Sequence, residues 1–377
     1  MKILLFFLGL AVSSIGLSIG KISLSKQCPP SFELLDGVCH FRSIYDLYQS
    51  PHGKGVGGLR TALPKHRGAY RPEEIDLGRY LFFDPILSTN YSQSCSSCHD
   101  PDKGFSDGKA RSVGALGQDL SRNAPSLWNA GFWRRLNWDA KAKSLEEQAR
   151  GPLYGHNELA MTKSELLKRL RESAVYRELF QQAFANKSPH DIQEAQVLKA
   201  LAAFQSSLVS FNSAYDRYVH GHQDALNESQ MAGLNVFRSF VARCAECHTP
   251  PLFSNQEIAV IGTPEVKGLA FDKGAELVFN QRMLRGGFRV PSLRNIAKSA
   301  PYMHSGGIEN LKDAIRFYTK GRGHAVPKDE YLYIHWHIWE PQLTDEEIDL
   351  LAEFLMALTD ESLKPQRPKT IPSMLGH

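Results

Sequence analysis

Four of the six cysteines fall in two short runs, each closed by a histidine: CSSCH at 95–99 and CAECH at 244–248. Two cysteines separated by two residues can add across the two vinyl groups of a porphyrin. A histidine next in the chain is then held under the ring as an axial ligand of the iron. Cys95, Cys98 and His99, and again Cys244, Cys247 and His248, therefore predict two covalently bound haem c groups. A structural zinc ion would want four closed ligands where each run offers three, and a redox dithiol has no use for the adjacent histidine.

The two remaining cysteines, Cys28 and Cys39, have ten residues between them, including Pro29-Pro30 and an Asp36-Gly37 turn signal. In an exported chain such a pair closes a disulfide loop, so CPPSFELLDGVCH reads as a small stapled appendage. Export is suggested by residues 1–20, one Lys followed by an apolar run from Ile3 to about Leu17. The run is short for a membrane span and reads as a secretory signal, with an uncleaved anchor as the alternative because no Ala-type cleavage site follows. The expectation is a periplasmic or otherwise exported protein, in agreement with haem c attachment outside the cytoplasm. Residues 51–68, rich in Gly, Pro and basic side chains, read as a linker closing the 21–69 appendage.

Two haems need elements to hold them. The chain has 377 residues, 42% of them apolar and 22% charged, enough for two cores. A net charge of +4 with no basic run gives no support for nucleic-acid binding. Pro72 opens a short helix with Ile75, Leu77, Leu81 and Phe82 on it; Thr162 and Glu165 form a capping-box pattern for a helix carrying Leu166, Leu167 and Leu170. Pro189 is expected to open another with Val197, Leu198, Leu201 and Phe204, and Asn227–Gln230 repeats the cap before the second motif. Leu311, Ile315 and Tyr318 share one helical face, and Thr344 with Glu347 starts the last helix, presenting Ile348, Leu351, Leu355 and Leu358. Almost nothing alternates with a period of two. The expected fold is mainly α with long loops and little β: two cytochrome c-like haem-binding domains at about 70–215 and 216–362, then a tail at 363–377.

The blocks LGRYLFFDPILS, CSSCH, RNAPSLWNAGF, NWDAKAKSLEEQARGPL, NELAM, CAECH, FRVPSLRNIAKSAPYMHSGG and LTDEEIDLLAEFLMALT resemble, in order, those of the bacterial di-haem cytochrome c peroxidase and MauG family, over about Pro72 to Thr359. The resemblance implies that the first haem meets hydrogen peroxide, the second passes electrons, and Trp138 lies between them. It also implies Glu158 as the acid/base that moves the proton during O–O cleavage, Gln148 as a positioning donor and Pro152 as a pocket wall. A calcium ion usual between the domains would match Asn123 and the carbonyls of Ser299 and Pro301.

Two departures point to a branch. Many relatives cap the first iron with a distal His, but no His occurs from Asp100 through Gly155, so that iron is expected open when oxidised. Fourteen residues after His304 the usual Met is replaced by Tyr318, as in MauG-like members; Met303 and Met283 are the alternative sulfurs. A phenolate ligand favours ferric and higher oxidation states. The expected function is a di-haem peroxidase whose high-valent haem pair oxidises a protein partner at Trp or Tyr. The alternative is a conventional cytochrome c peroxidase fed by a small cytochrome or copper protein; a pure electron carrier or sensor is disfavoured by Glu158 and the missing distal His. Trp336 and Trp339, in HWHIWEP with His335 and His337, read as core rather than as a docking patch.

Overall fold

The computed structural model describes residues 22–44, 63–321, 324–362 and 367–374. The signal stretch 1–20 and most of the 51–68 linker lie outside them. The described residues form helices α1 (Pro72–Phe83), α2 (Cys95–Cys98), α3 (Leu145–Tyr154), α4 (Lys163–Glu172), α5 (Ala174–Phe184), α6 (Glu194–Ser206), α7 (Ala214–Val219), α8 (Glu228–Phe237), α9 (Cys244–Cys247), α10 (Glu276–Phe279), α11 (Leu311–Thr319) and α12 (Asp345–Met356). Two antiparallel pairs complete them: β1 (Phe32–Leu35) with β2 (Val38–Phe41), and β3 (Ile258–Val260) with β4 (Gly287–Arg289). The mainly helical expectation holds.

Local capping sets the helix starts. Asn227 and Gln230 close a reciprocal box at α8, Thr344 and Glu347 do the same at α12, and Thr162 Oγ1 accepts the Glu165 N–H at α4. One start is corrected. Pro189 opens only a single turn: Asp191 accepts the N–H groups of Lys187 and Ser188, Ile192 and Gln193 are extended, and the helix begins at Glu194.

α1 lies directly on α6 because Gly78 has no side chain: a Cβ there would stand 1.8 Å from the Ala200 carbonyl oxygen. Around this crossing Leu77, Leu81, Phe82, Leu166, Leu170, Tyr176, Phe180 and Phe204 form one core. α8 meets α12 in the same way, Gly233 against the Leu350 carbonyl at 1.9 Å, over a second core of Phe237, Phe253, Leu351, Phe354 and Leu355. Each fully buried Leu or Phe contributes roughly 1.5–3 kcal/mol.

Cys28 and Cys39 are bonded, S–S 2.09 Å, and staple the β1–β2 hairpin, whose Asp36-Gly37 turn has both φ angles positive. The hairpin packs with Phe132 and Phe211 in a further core, and the Cys39 N–H donates to the Tyr70 carbonyl. The linker reading is corrected for residues 63–68: the His66 ring packs against Phe32 and Phe132, and Arg67 Nε donates to the Trp133 carbonyl at 2.6 Å. This segment is docked on the body.

Candidate functional site

Each CxxCH run folds as one helical turn with its histidine as the closing residue: the His99 N–H donates to the Cys95 carbonyl and the His248 N–H to that of Cys244. The side chains are then fixed from behind. His99 Nδ1 lies 2.9 Å from the Phe105 carbonyl and His248 Nδ1 3.2 Å from that of Phe253. A carbonyl only accepts, so Nδ1 carries the proton and Nε2 keeps its lone pair for a metal. Burial pushes the His99 imidazole below its ordinary value and His248 down to about 4, keeping both neutral. Burial likewise pushes the Cys95 and Cys244 thiols up to about 12, the setting of an inert thiol rather than a reactive thiolate.

Around the second run the chain encloses a cavity lined by Cys244, Cys247, His248 and Tyr318. Tyr318 comes from the same face of α11 as Leu311 and Ile315, which line it too. Burial pushes the Tyr318 phenol well above its usual range, and the nearby Cys244 and Cys247 add to this. Met303 is also on the wall; Met283 is exposed. Trp138 borders the cavity, its Nε1–H donating to the Asn123 carbonyl at 2.9 Å. The same wall continues through Pro125, Ser126 and Trp128 to the loop behind His99, where Ser126 Oγ donates to the Gly104 carbonyl and Trp128 packs on Phe105. Asn123, Ser299 and Pro301 line this one cavity.

The donor set fits a haem. Two neutral imidazoles present free Nε2 atoms beside paired thiols, and the cavity wall also holds Arg289, buried and stacked 3.8 Å over the Trp133 ring. Its Nη1 has no hydrogen-bond partner, and burial pulls its pKa down to about 10. A buried cation lacking an anion is costly, and a haem carboxylate would supply one.

On the side of the first run, α3 starts at Ser144, whose Oγ accepts the Glu147 N–H, and carries Gln148 and Pro152 one turn apart on one face. Pro152 has no N–H to give the Gln148 carbonyl four residues back. The chain turns after α3 through a Glu158 N–H to Gly155 carbonyl bond, and the Glu158 carbonyl accepts from Ala115. This brings Glu158 near Cys95 and Cys98, whose pKa values its charge helps raise. Burial raises the Glu158 carboxyl itself.

Trp336 and Trp339 are not core: they are 62% and 40% exposed. Without a helical or strand period around them, their types alone did not reveal their exposure. Two buried groups escaped sequence reasoning. Arg289 interrupts the apolar Phe288-Val290 run, a signal that was there to read. His304 lies between Glu265, 3.0 Å from Nε2, and Thr263, 3.1 Å from Nδ1, with its ring on Phe288; no local pattern announces that set.

Residues 72–224 match the family model for di-haem cytochrome c peroxidase. The chain is 34% identical over 298 residues to the methylamine utilization protein MauG of Methylophilus methylotrophus, covering 78% of this chain and 85% of that one. It is 35% identical over 260 residues to the cytochrome c551 peroxidase of Nitrosomonas europaea, covering 67% and 75%. A crystal structure described as a MauG-like protein associated with microbial copper homeostasis superposes with TM-score 0.74 at 32% identity, over 84% of this chain and 98% of that one. The chain belongs to the di-haem cytochrome c peroxidase and MauG family, and is a peroxide-dependent oxidoreductase with two haem groups.

Proposed function

We propose that this protein uses hydrogen peroxide to oxidise a protein partner at a Trp or Tyr side chain, as a MauG-like member of its family. The observation that carries the reading is Tyr318 on the wall shared with Cys244, Cys247 and His248. A phenolate there would favour ferric and higher oxidation states of the iron. In this reading Cys95, Cys98, Cys244 and Cys247 carry the haems as thioethers, and His99 and His248 are the proximal ligands. The two haem domains run from about 70 to 215 and 216 to 362, and residues 1–20 direct export to the periplasm. Asn123, Ser299 and Pro301 hold a calcium ion through oxygen atoms.

Bound haem would supply the redox chemistry of peroxide reduction. The chain supplies the rest. Glu158 takes the proton from the near peroxide oxygen and returns it to the leaving one, and Gln148 donates to the charge that develops. In this reading Trp138, whose indole N–H donates to the Asn123 carbonyl, is the electron bridge between the two haems. Burial raises the Glu158 carboxyl above its ordinary value, which makes it a stronger base for the first half of the transfer while it can still return the proton in the second.

The test is the optical and electron paramagnetic resonance spectrum of the oxidised protein before and after stoichiometric peroxide, without reductant, in wild type and Tyr318→Met. The expected result is one high-spin and one low-spin haem that change together with peroxide, and a short-lived product in the variant. Two low-spin haems that ignore peroxide until half-reduced would overturn it. Met303 on the same wall is the observation favouring a conventional peroxidase; in that case Met303→Leu, not Tyr318→Phe, would remove the low-spin signature of the second haem.

A further inference from the structure

Beside the second CxxCH turn the surface is unusually apolar. Phe240 is 87% exposed, Trp336 62%, Val241 52% and Trp339 40%. The three aromatic rings gather on one guanidinium: Arg243 lies 5.8 Å from the Phe240 ring, 5.4 Å from Trp336 and 4.8 Å from Trp339. Its charge is spent locally. Arg243 Nε pairs with one Glu246 oxygen at 2.6 Å, and the other oxygen lies 2.7 Å from His337 Nε2. The face is therefore aromatic and close to neutral.

Arg243, His337 and Trp339 also line the cavity of Cys244, His248 and Tyr318. Trp339 thus reaches both sides: it is 40% exposed and it lines the cavity. Exposed Trp and Phe organised around an Arg are the composition of interface centres, and a patch of three such rings with Val241 beside them matches the small contact area of short-lived redox encounters.

We propose that Phe240, Val241, Trp336 and Trp339 form the docking face for the electron-giving protein, and that Trp339 relays its electrons into the His248 cavity. The proposal rests on the reading that a protein partner reduces the peroxide-oxidised centre. In each passage the partner loses one electron, Trp339 hands it inward and is restored unchanged, and two passages consume the two oxidising equivalents of one peroxide. Because the charges of this face are paired within it, the fitting partner presents an apolar patch, and association depends only weakly on salt.

The test uses the full haem-loaded protein, oxidised by a peroxide pulse and mixed with either a reduced monohaem cytochrome c or ferrocyanide. Trp339→Phe is expected to slow the return to the resting spectrum with the cytochrome on the order of tenfold, leaving the ferrocyanide rate unaffected. Phe240→Ser is expected to raise the half-saturating cytochrome concentration roughly fivefold with the limiting rate kept. After peroxide without any donor, peptide mapping should find oxygen added at Trp339. Both variants matching wild type with the cytochrome, or Trp339→Phe slowing both donors alike, would overturn the face and the relay. A wild-type protein whose spectrum ignores peroxide would overturn the parent reading and this one with it, an outcome visible before any donor is added.

Discussion

In both halves a glycine lets one helix rest on another, and a CxxCH turn follows. Gly78 of α1 meets the Ala200 carbonyl with Phe204 Cβ alongside, and Gly233 of α8 meets the Leu350 carbonyl with Phe354 Cβ alongside, at nearly the same separations. Behind each histidine stands a fully buried phenylalanine, Phe105 or Phe253, whose carbonyl receives Nδ1. The proximal framework is thus repeated, and the halves diverge in what they bring to it. The first has the half-buried carboxyl of Glu158; the second has Tyr318 and an aromatic surface at its rim. A common frame thus repeats the histidine and its carbonyl partner at both runs, and in the proposed reading the residues that differ around them divide the labour between reacting with peroxide and exchanging electrons.

The largest expected effect falls on the first half alone. Glu158→Gln keeps the size of the side chain and removes its ability to accept a proton, so the peroxide step should slow about 100- to 10,000-fold, read by stopped-flow absorbance. The sign with pH is set by the raised carboxyl: its basic form is lost as pH falls through a value above the ordinary 4.5. Wild type should therefore lose the peroxide step on acidification from that point, and Glu158→Gln should be flat across it. A variant as fast as wild type would put the proton transfer elsewhere.

Next in size is a break in the second half. The loop after His248 is held by Arg294, wholly buried, whose two Nη atoms each sit 2.7 Å from an Asp216 oxygen while Nε donates to the Pro251 carbonyl. The loop after His99 is held instead by the Phe105 ring under Trp128 and Phe82. Asp216→Ala leaves a buried guanidinium without its anion and should lower the unfolding free energy by about 3–5 kcal/mol in urea titrations. Burial alone would raise the Asp216 carboxyl, but the Arg294 charge and the hydrogen bonds from Arg294 and Ser213 more than offset it, leaving it below 3.8. With the folded value depressed, this stabilisation is complete above 3.8 and drains away as pH falls toward the folded value. The variant should lack that acid-side loss.

What the sequence revealed follows from the range of the interactions. Caps act within four residues, so the starts of α4, α8 and α12 were legible from Thr162, Asn227 and Thr344. Pro189 misled because Asp191 closes its turn before Glu194, a competition between two local signals. The Cys28–Cys39 staple was readable from the cysteine count. Gly78 and Gly233 were silent, since each matters only through a carbonyl more than a hundred positions away in sequence, and Asp216 was hidden likewise, its partner Arg294 lying 78 positions on. The exposure of Trp336 and Trp339 was misjudged because aromatic type suggests burial and only the packing around Arg243 overrides it.

The smallest expected effect tests the comparison most sharply. Gly78→Ala and Gly233→Ala each place a methyl group where a carbonyl oxygen stands within 2 Å, so the paired helices must separate. Each should cost about 1–3 kcal/mol in thermal or urea unfolding, because only one crossing has to give. If the halves are independent frames, Gly78→Ala shifts the resonance signals of the His99 haem and spares those of the His248 haem, and Gly233→Ala does the reverse. The shared cavity wall from Trp138 to Trp128 is the route by which a disturbance would cross. Equal disturbance of both haems by either variant would mean that this wall, not the helix crossing, sets the geometry of each site.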